Sequence, residues 1–192
     1  LPIAFVNQVG GNDELIFDGG SFVVDGRGRI QIQLPLFESA LGVVDVPGTA
    51  EGIVPEAVEE LGRIAQLEAG LVLGIRDYFF KQNLPPGAVI GLSGGVDSAV
   101  TAHVAVEALG PERVTGVALP GPFSSEHSIA DAVELAERLG IELRTVDIRP
   151  MYDAYLQAFE GLFGHKDDYG LAQQNIQSRI RGAVLMAVSN AE

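Results

Sequence analysis

The chain has 192 residues, 47% of them hydrophobic, a formal net charge of −14 and no cysteine. This length is enough for one domain with a sizeable core, or for a domain and part of another. The lack of cysteine excludes disulfides and thiolate metal ligands from this chain, and the acidic balance argues against a surface that follows a nucleic-acid backbone. No apolar run approaches the roughly 20 residues that span a bilayer, and the first residues lack an export-signal pattern. We therefore expect a soluble, cytoplasmic protein that binds neither membranes nor nucleic acid.

The front of the chain has the pattern of short β-strands. In residues 14–34 the alternating runs LIF, SFVV and RIQIQL are separated by DGG and DGRGR, which is typical of a β-hairpin or short meander. From residue 47 to about 66 the chain is rich in Gly, Pro and Glu, as in a surface linker that leads into a solvated helix. We therefore expect a first domain over 1–46, a linker over 47–68 and a second domain over 69–192.

Beyond the linker, strands and helices are predicted in alternation. The helix over 69–82 is followed by the apolar run AVIGL at 88–92, which is typical of a strand buried on both faces. The predicted elements that follow are a helix over 98–109, a strand over 114–120, a helix over 128–139 opened by Ser128 and Asp131, and a strand over 143–148. This alternation predicts an α/β fold with a doubly wound parallel sheet, in which ligands bind beyond the carboxyl ends of the strands.

The segment GLSGGVDS at 91–98 lies at such a carboxyl end. Gly94 and Gly95 allow a sharp turn that aims backbone N–H groups at an anion, the hydroxyls of Ser93 and Ser98 add donors, and the following helix contributes its positive end. No Lys follows the second glycine, so this phosphate cradle is not of the Walker type. Asp97 would repel phosphates unless a divalent cation lay between them, which indicates a Mg²⁺ ligand. The alternative is a structural turn. In that case Ser98 is only the N-cap of the helix, and the Asp97 carboxylate only interacts favourably with the helix dipole.

The residues SGGVDS resemble the PP-loop of the ATP pyrophosphatases, which cleave ATP between the α and β phosphates. Four further segments distinguish among the families of that group. In this order they resemble the glutamine-dependent NAD(+) synthetase family. They are NQVGGNDELIFDGGSF at 7–22, LGIRDYF at 73–79, SSEHSIADAVELAERLGI at 124–141 and NIQSRIRGAVLMAVSN at 175–190. The resemblance implies a sheet of the adenine nucleotide alpha hydrolase-like type, preceded by the last strands of a nitrilase-like (CN hydrolase) glutaminase domain.

The resemblance also implies a ligase of NAD biosynthesis. In this family, ammonia from glutamine is joined to deamido-NAD⁺: the nicotinate carboxylate attacks the α-phosphorus of ATP, pyrophosphate leaves, and ammonia then displaces AMP from the adenylate. The implied small molecules are ATP, Mg²⁺, deamido-NAD⁺ and glutamine or ammonia. A homo-oligomer with synthetase domains in contact is implied as well.

Site residues are carried over from the family position by position. The implied ATP-binding residues are Gly91, Leu92, Ser93, Gly94, Gly95, Val96, Asp97, Ser98 and Leu119, with Asp97 also the metal ligand. Leu119 and Pro120 would hold adenine through backbone groups, unless they are simply a strand end. The polar segment 121–128 is predicted to be a lid that orders on ATP. No residue is assigned as catalytic, and His127 in this segment is expected to be solvated.

The helix near the end of the chain offers two arginines. Asn175 and Arg179 are four residues apart and share a face, whereas Arg179 and Arg181 lie about 200° apart around the helix. By similarity, Asn175 and Arg179 are assigned to the deamido-NAD⁺ site, and we expect Arg181 to pair with an acidic neighbour or a partner subunit. The alternative is that both arginines are solvated surface residues.

The chain also departs from the family. The glutaminase needs a Glu, a Lys and a nucleophilic Cys, and this chain has no Cys. We expect a fragment that begins after that nucleophile and ends before a Thr/Asn/Lys/Ser/Glu block of the ATP and metal site, with no glutaminase activity and little or no NAD⁺ synthesis alone. Two other readings stay open: another PP-loop ligase such as an ammonia-dependent GMP synthetase, and a non-catalytic nucleotide-binding module.

Overall fold

A computed structural model describes residues 1–45, 61–85, 87–165 and 170–191. The chain forms two compact units, Leu1–Pro85 and Pro86–Glu192. None of the helices in the described ranges combines the length and the apolar character needed to cross a bilayer.

The first unit is built from antiparallel strands. Strands β1 (Ile3–Phe5), β4 (Phe22–Val24) and β5 (Ile30–Gln33) form one sheet in the order β1-β4-β5, while β2 (Val9–Asn12) and β3 (Leu15–Asp18) form a separate hairpin. The three predicted runs correspond to β3, β4 and β5. The pairing differs from a simple meander, because β3 pairs with β2 rather than with β4.

Helix α1 (Arg63–Lys81) completes the first unit. Two hydrogen bonds join it to Gly11 of β2. The Gly11 amide donates to Asp77 Oδ2 at 2.8 Å, and Lys81 Nζ donates to the Gly11 carbonyl at 2.6 Å. The helix begins six residues earlier than the predicted residue 69, so the last part of the expected linker is helical. Residues 46–60 of that expected boundary region lie outside the described residues.

The second unit contains a parallel sheet. Strands β6 (Ala88–Leu92), β7 (Val114–Ala118) and β8 (Glu142–Thr145) lie in that order, with Leu92 paired with Ala118 and Ala118 paired with Thr145. Helix α2 (Val96–Leu109) joins β6 to β7, and α3 (Glu126–Leu139) joins β7 to β8. The chain then continues through α4 (Arg149–Phe163) and α5 (Leu171–Ala191).

Helices cover both faces of this sheet. On one face, α2 and α3 pack in a core that includes Leu92, Ala102, Ala105, Val114, Ala132 and Ala136. On the other face, α4 and α5 pack in a core that includes Val117, Leu119, Ile148, Tyr152 and Ile180. The side chains of β7 alternate between the two cores, as expected for a strand buried on both faces. The predicted α/β class with a parallel sheet and helices on both faces is confirmed.

Several predicted boundaries of this unit differ from the structure. Helix α2 begins at Val96 with Gly95 as its N-cap, two residues before the predicted start. Helix α3 begins at Glu126, and its cap is Ser125, whose hydroxyl accepts a hydrogen bond from the Ser128 amide; the predicted opening at Ser128 was wrong. Strands β7 and β8 end earlier than predicted, although Val146 and Ile148 still donate to the carbonyls of Ala118 and Pro120.

Candidate functional site

The loop between β6 and α2 is the centre of the candidate site. Strand β6 ends at Leu92, Ser93 to Gly95 make the turn, and Ala99 is the first residue whose amide bonds back into the helix, to the Gly95 carbonyl at 3.1 Å. The amides of residues 96–98 therefore precede the helical hydrogen-bond ladder, where helix N-termini bind anions. The predicted order of strand, glycine turn and helix start is confirmed.

Gly94 has a backbone that only glycine adopts readily. Its φ is +74°, and a Cβ placed on it would lie 2.5 Å from the Ser128 carbonyl oxygen and 2.7 Å from the Ser128 Cα. Such distances are far inside van der Waals contact, so the start of α3 leaves no room for a side chain at this position. Gly94 therefore lets the loop turn directly against α3.

The two serines of the loop hold its shape. Ser98 Oγ donates to the Gly95 carbonyl at 2.9 Å and accepts from the Ser93 amide at 3.3 Å, and the two serine hydroxyls are 3.2 Å apart. The Gly95 amide in turn donates to Ser93 Oγ at 3.3 Å. In this arrangement both hydroxyls are engaged within the loop, which leaves the backbone amides at the start of α2 as candidate donors to an anion.

Asp97 is exposed and lies in the first turn of α2. Among the described residues there is no group of three or more His, Cys, Asp or Glu side chains that could enclose a metal ion. A cation bound at Asp97 would therefore take most of its ligands from water and from a bound anion. That composition suits Mg²⁺, which is commonly held by one or two carboxylates together with substrate phosphates.

A cavity of about 390 Å³ opens beside the loop, on the carboxyl-end side of the sheet. It is lined by the end of β6, the end of β7, the segment that leads into α3, and one face of α5. The lining residues are Gly91, Leu92, Ser93, Val117, Ala118, Leu119, Pro120, Phe123, Ser124, Ser128, Ile129, Arg181 and Leu185. Five residues predicted as ATP contacts meet here: Gly91, Leu92, Ser93, Leu119 and Pro120.

Other predicted residues lie around a second cavity on the far side of the loop. Its volume is about 470 Å³, and the predicted residues Gly94, Gly95 and Val96 line it together with part of α3. The loop thus separates two concave surfaces, one towards β7 and α5 and the other towards α3.

Arg181 differs from the sequence-based expectation. Its Nε donates to the Leu119 carbonyl at 3.3 Å, and the half-buried side chain lines the cavity beside the loop. Among the described residues no carboxylate forms an ion pair with it, and the other expected pairing, with a partner subunit, stays a prediction. Arg181 and Leu185 are four residues apart and present the same face of α5 to the cavity.

Asn175 and Arg179 are both exposed on α5 and neither lines the described cavity. Their four-residue spacing does put them on one face of the helix, which differs from the face that carries Arg181. Their assignment to an acceptor site stays a prediction.

The predicted lid over 121–128 is partly helical. Gly121 and Ser124 close a turn, in which the Gly121 amide donates to Ser124 Oγ at 2.9 Å, and α3 begins two residues after Ser124. Phe123 in this turn is largely exposed, lines the cavity and packs edge-on against Tyr152 at 6.3 Å between ring centroids. His127 is exposed in the first turn of α3. The sequence signal for Phe123 is a lone aromatic residue in a polar segment.

Comparison with known proteins agrees with this geometry. The profile of the NAD synthase family matches residues 68–192. A glutamine-dependent NAD(+) synthetase from Synechocystis sp. is 45% identical over 99% of this chain and 34% of its own length. A solved structure of the glutamine-dependent NAD⁺ synthetase from Acinetobacter baumannii, in complex with ADP, superposes with a TM-score of 0.91 at 39% identity, over 100% of this chain and 36% of that chain.

A third relative is named for a different activity. The NMN synthetase from Francisella tularensis is 34% identical, with a TM-score of 0.57 over 65% of this chain and 49% of that chain. The chain spans about a third of the length of the curated relatives that it matches. The matched profile extends over more than half of the chain and includes the loop, the cavity and α5, so this chain belongs to the NAD synthase family.

Proposed function

We propose that this chain carries the ATP-binding part of a glutamine-dependent NAD(+) synthetase, which amidates deamido-NAD⁺ to NAD⁺. The observation that carries the proposal is the loop of residues 93–98, in which a glycine turn at the end of β6 leads directly into the start of α2 beside a cavity. Family membership and the ADP complex of the Acinetobacter baumannii relative support it.

The proposed reaction has two steps. A carboxylate oxygen of deamido-NAD⁺ attacks the α-phosphorus of ATP, the bond to the bridging oxygen breaks, and pyrophosphate leaves. Ammonia then attacks the carboxyl carbon, loses a proton and displaces AMP. The first step needs charge neutralisation and positioning more than covalent help. The amides at the start of α2 and the positive end of that helix suit the pyrophosphate group.

Asp97 is the proposed Mg²⁺ ligand. Its exposed carboxylate stands in the first turn of α2, next to the amides that would hold the phosphates. Mg²⁺ bound there would neutralise phosphate charge, and its remaining ligands would be phosphate oxygens and water. Leu119, which lines the cavity beside the loop, is the proposed contact for adenine, while Asn175 and Arg179 are the proposed contacts for deamido-NAD⁺.

The test uses α,β-methylene-ATP, which keeps the shape of ATP but resists cleavage between the α and β phosphorus atoms. With the site filled by this analogue and Mg²⁺, binding of three acceptors is measured by calorimetry: deamido-NAD⁺, xanthosine monophosphate and nicotinic acid mononucleotide. The last is included because a relative is an NMN synthetase. We expect the tightest binding for deamido-NAD⁺. Tighter binding of xanthosine monophosphate would favour a GMP synthetase, and binding of ATP with none of the acceptors would favour a nucleotide-binding module.

Asn175→Ala separates the acceptor site from the ATP site. We expect it to weaken binding of deamido-NAD⁺ by about tenfold, in line with the loss of a hydrogen bond to a charged or polar ligand, and to leave binding of the ATP analogue unchanged. Asn190→Ala is the matched control, because it makes the same substitution at another exposed position of α5. Equal weakening for both ligands would contradict the assignment of Asn175.

A further inference from the structure

The carbonyl of Leu119 occupies a particular place at the end of β7. The carbonyls of Ala118 and Pro120 accept hydrogen bonds from Val146 and Ile148, on the side of β8. Because alternate carbonyls of an extended chain point to opposite sides, the Leu119 carbonyl points to the side of β6. Strand β6 has already ended there, since its last residue, Leu92, is paired with Ala118. The Leu119 carbonyl is therefore an acceptor that the sheet leaves at the edge of the cavity.

Arg181 donates a hydrogen bond to the Leu119 carbonyl in place of a neighbouring strand. Its Nε lies 3.3 Å from the Leu119 oxygen, which joins α5 to the end of β7 across 62 residues of sequence. A carbonyl oxygen has two lone pairs and a guanidinium has five N–H donors, so this contact leaves capacity on both groups. At 3.3 Å the bond is slightly longer than the roughly 2.7–3.2 Å that is usual for N–H···O hydrogen bonds.

Charge distinguishes Arg181 from its surroundings as well. It is the single charged side chain among the described residues that line the cavity of about 390 Å³. In a chain with a net charge of −14, a half-buried arginine whose hydrogen bond is made to a carbonyl marks a surface for a ligand rich in acceptors or negative charge.

We propose that Arg181 is a positioning residue for the purine base of the bound nucleotide. Through its hydrogen bond it holds the Leu119 carbonyl in place, so that the second lone pair of that oxygen can accept from the exocyclic amine of adenine. The inference rests on the proposed function, because it takes ATP as the ligand of this cavity. It assigns Arg181 to the base end of the pocket, whereas the loop of residues 93–98 serves the phosphates.

The test compares ligands that differ in whether they carry a base. Calorimetric titrations of ATP, ADP and inorganic tripolyphosphate, each with Mg²⁺, are made on the wild-type chain, Arg181→Met and Arg181→Lys. Methionine keeps an unbranched side chain but removes every donor, whereas lysine restores a charged donor. Arg149→Met is the control for loss of one arginine, since Arg149 is exposed at the start of α4 and paired with Asp147. Circular dichroism and thermal melting check that each variant is folded.

We expect Arg181→Met to weaken ATP and ADP binding by about tenfold, the loss typical of a hydrogen bond to a charged group, and Arg181→Lys to recover part of it. Tripolyphosphate binding should change less than about twofold in both variants, and Arg149→Met should bind all three ligands as the wild type does. If Arg181 served folding alone, its loss would weaken the binding of tripolyphosphate as much as the binding of ATP and ADP. Should Arg181→Met unfold, the same comparison is read from Arg181→Lys.

Two outcomes would overturn the inference alone. One is ATP affinity within about twofold of wild type in Arg181→Met, and the other is equal weakening for ATP and tripolyphosphate, which would move Arg181 to the phosphates. Failure of the wild-type chain to bind ATP would overturn the proposed function, and this inference with it.

Discussion

At the scale of single residues, Gly94 shows most directly how the site depends on its sequence. The residue combines a φ of +74° with a neighbouring carbonyl that would lie 2.5 Å from any Cβ. The two constraints act together: a side chain would strain the turn and would also push the loop away from α3. The position therefore requires glycine for both conformation and space.

Gly94→Ala should consequently disturb both stability and binding. We expect a loss of roughly 1–3 kcal/mol in the free energy of unfolding, as for strained backbone positions, and ATP binding weakened by more than about tenfold. Gly161→Ala in α4 is the matched control, because a Cβ there meets no atom within 4 Å. Chemical denaturation and calorimetry measure the two effects, and wild-type ATP affinity in Gly94→Ala would contradict the geometry of the loop.

Some residues of the site could be predicted from the sequence and others could not. The loop was found from sequence because its glycines, serines and aspartate are contiguous. The role of Arg181 was missed because the buried stripe of α5 does not favour either arginine. Arg179 and Arg181 lie about 100° to either side of Ile180, which is the centre of that stripe. The other residues of the stripe are Ile176, Val184 and Val188. The sequence cannot distinguish those two sides. Packing of α5 against β6, where Leu185 approaches Gly91, decides which arginine reaches the cavity.

At the scale of elements, the turn between β4 and β5 is organised by one buried carboxylate. Asp25 is 6% exposed and accepts hydrogen bonds from the amides of Arg27 and Arg29 and from the Arg29 guanidinium. The Arg29 amide is the largest cause that lowers the pKa of Asp25 to about 2; the guanidinium and the Arg27 amide act in the same direction, and burial opposes them. The turn thus depends on a charged Asp25.

This pKa predicts a pH dependence with a definite sign. Because the pKa of Asp25 is lower in the folded chain than its ordinary value of 3.8, its contribution to stability is complete above pH 3.8 and is lost as the pH falls towards about 2. The Tm of Asp25→Asn should therefore lie below that of wild type at about pH 5, and the difference should shrink between about pH 4 and pH 2. Glu14→Gln, in the exposed β2–β3 turn, controls for loss of one negative charge.

Thermal melts across that pH range give the measurement. A difference in Tm between wild type and Asp25→Asn that stays constant from about pH 5 to pH 2 would contradict the role assigned to the carboxylate.

Helices and strands with a strong sequence pattern were predicted more readily than those with a weak one. The continuous run AVIGL identified β6 because a strand buried on both faces carries apolar side chains throughout. Strand β2 was missed because its sequence, VGGN, offers no alternation of side chains. Helix α4 was not predicted, although Tyr152, Leu156 and Phe159 recur at helical spacing and are buried or half-buried; the signal was present and unused.

At the scale of the whole molecule, the absence of cysteine sets a limit on the activity of this chain. Nitrilase-type release of ammonia from glutamine needs a thiol nucleophile, and this chain contains none. We therefore expect that the chain alone releases no glutamate from glutamine, whether or not ATP and deamido-NAD⁺ are present. A coupled glutamate assay measures this, and release above the rate of buffer alone would contradict the expectation.

We expect the loop of residues 93–98 to bind ATP through Mg²⁺ at Asp97. Calorimetric titration of ATP into wild type and Asp97→Asn, with and without Mg²⁺, tests this expectation. Asp153→Asn on α4 controls for the change in charge. For wild type we predict binding that weakens by about tenfold or more without Mg²⁺, because Asp97 then repels the phosphates. For Asp97→Asn we predict binding that no longer depends on Mg²⁺, and without the metal it should be at least as tight as that of wild type. No ATP binding by wild type, or the same Mg²⁺ dependence in both proteins, would contradict the assignment of Asp97 as the Mg²⁺ ligand.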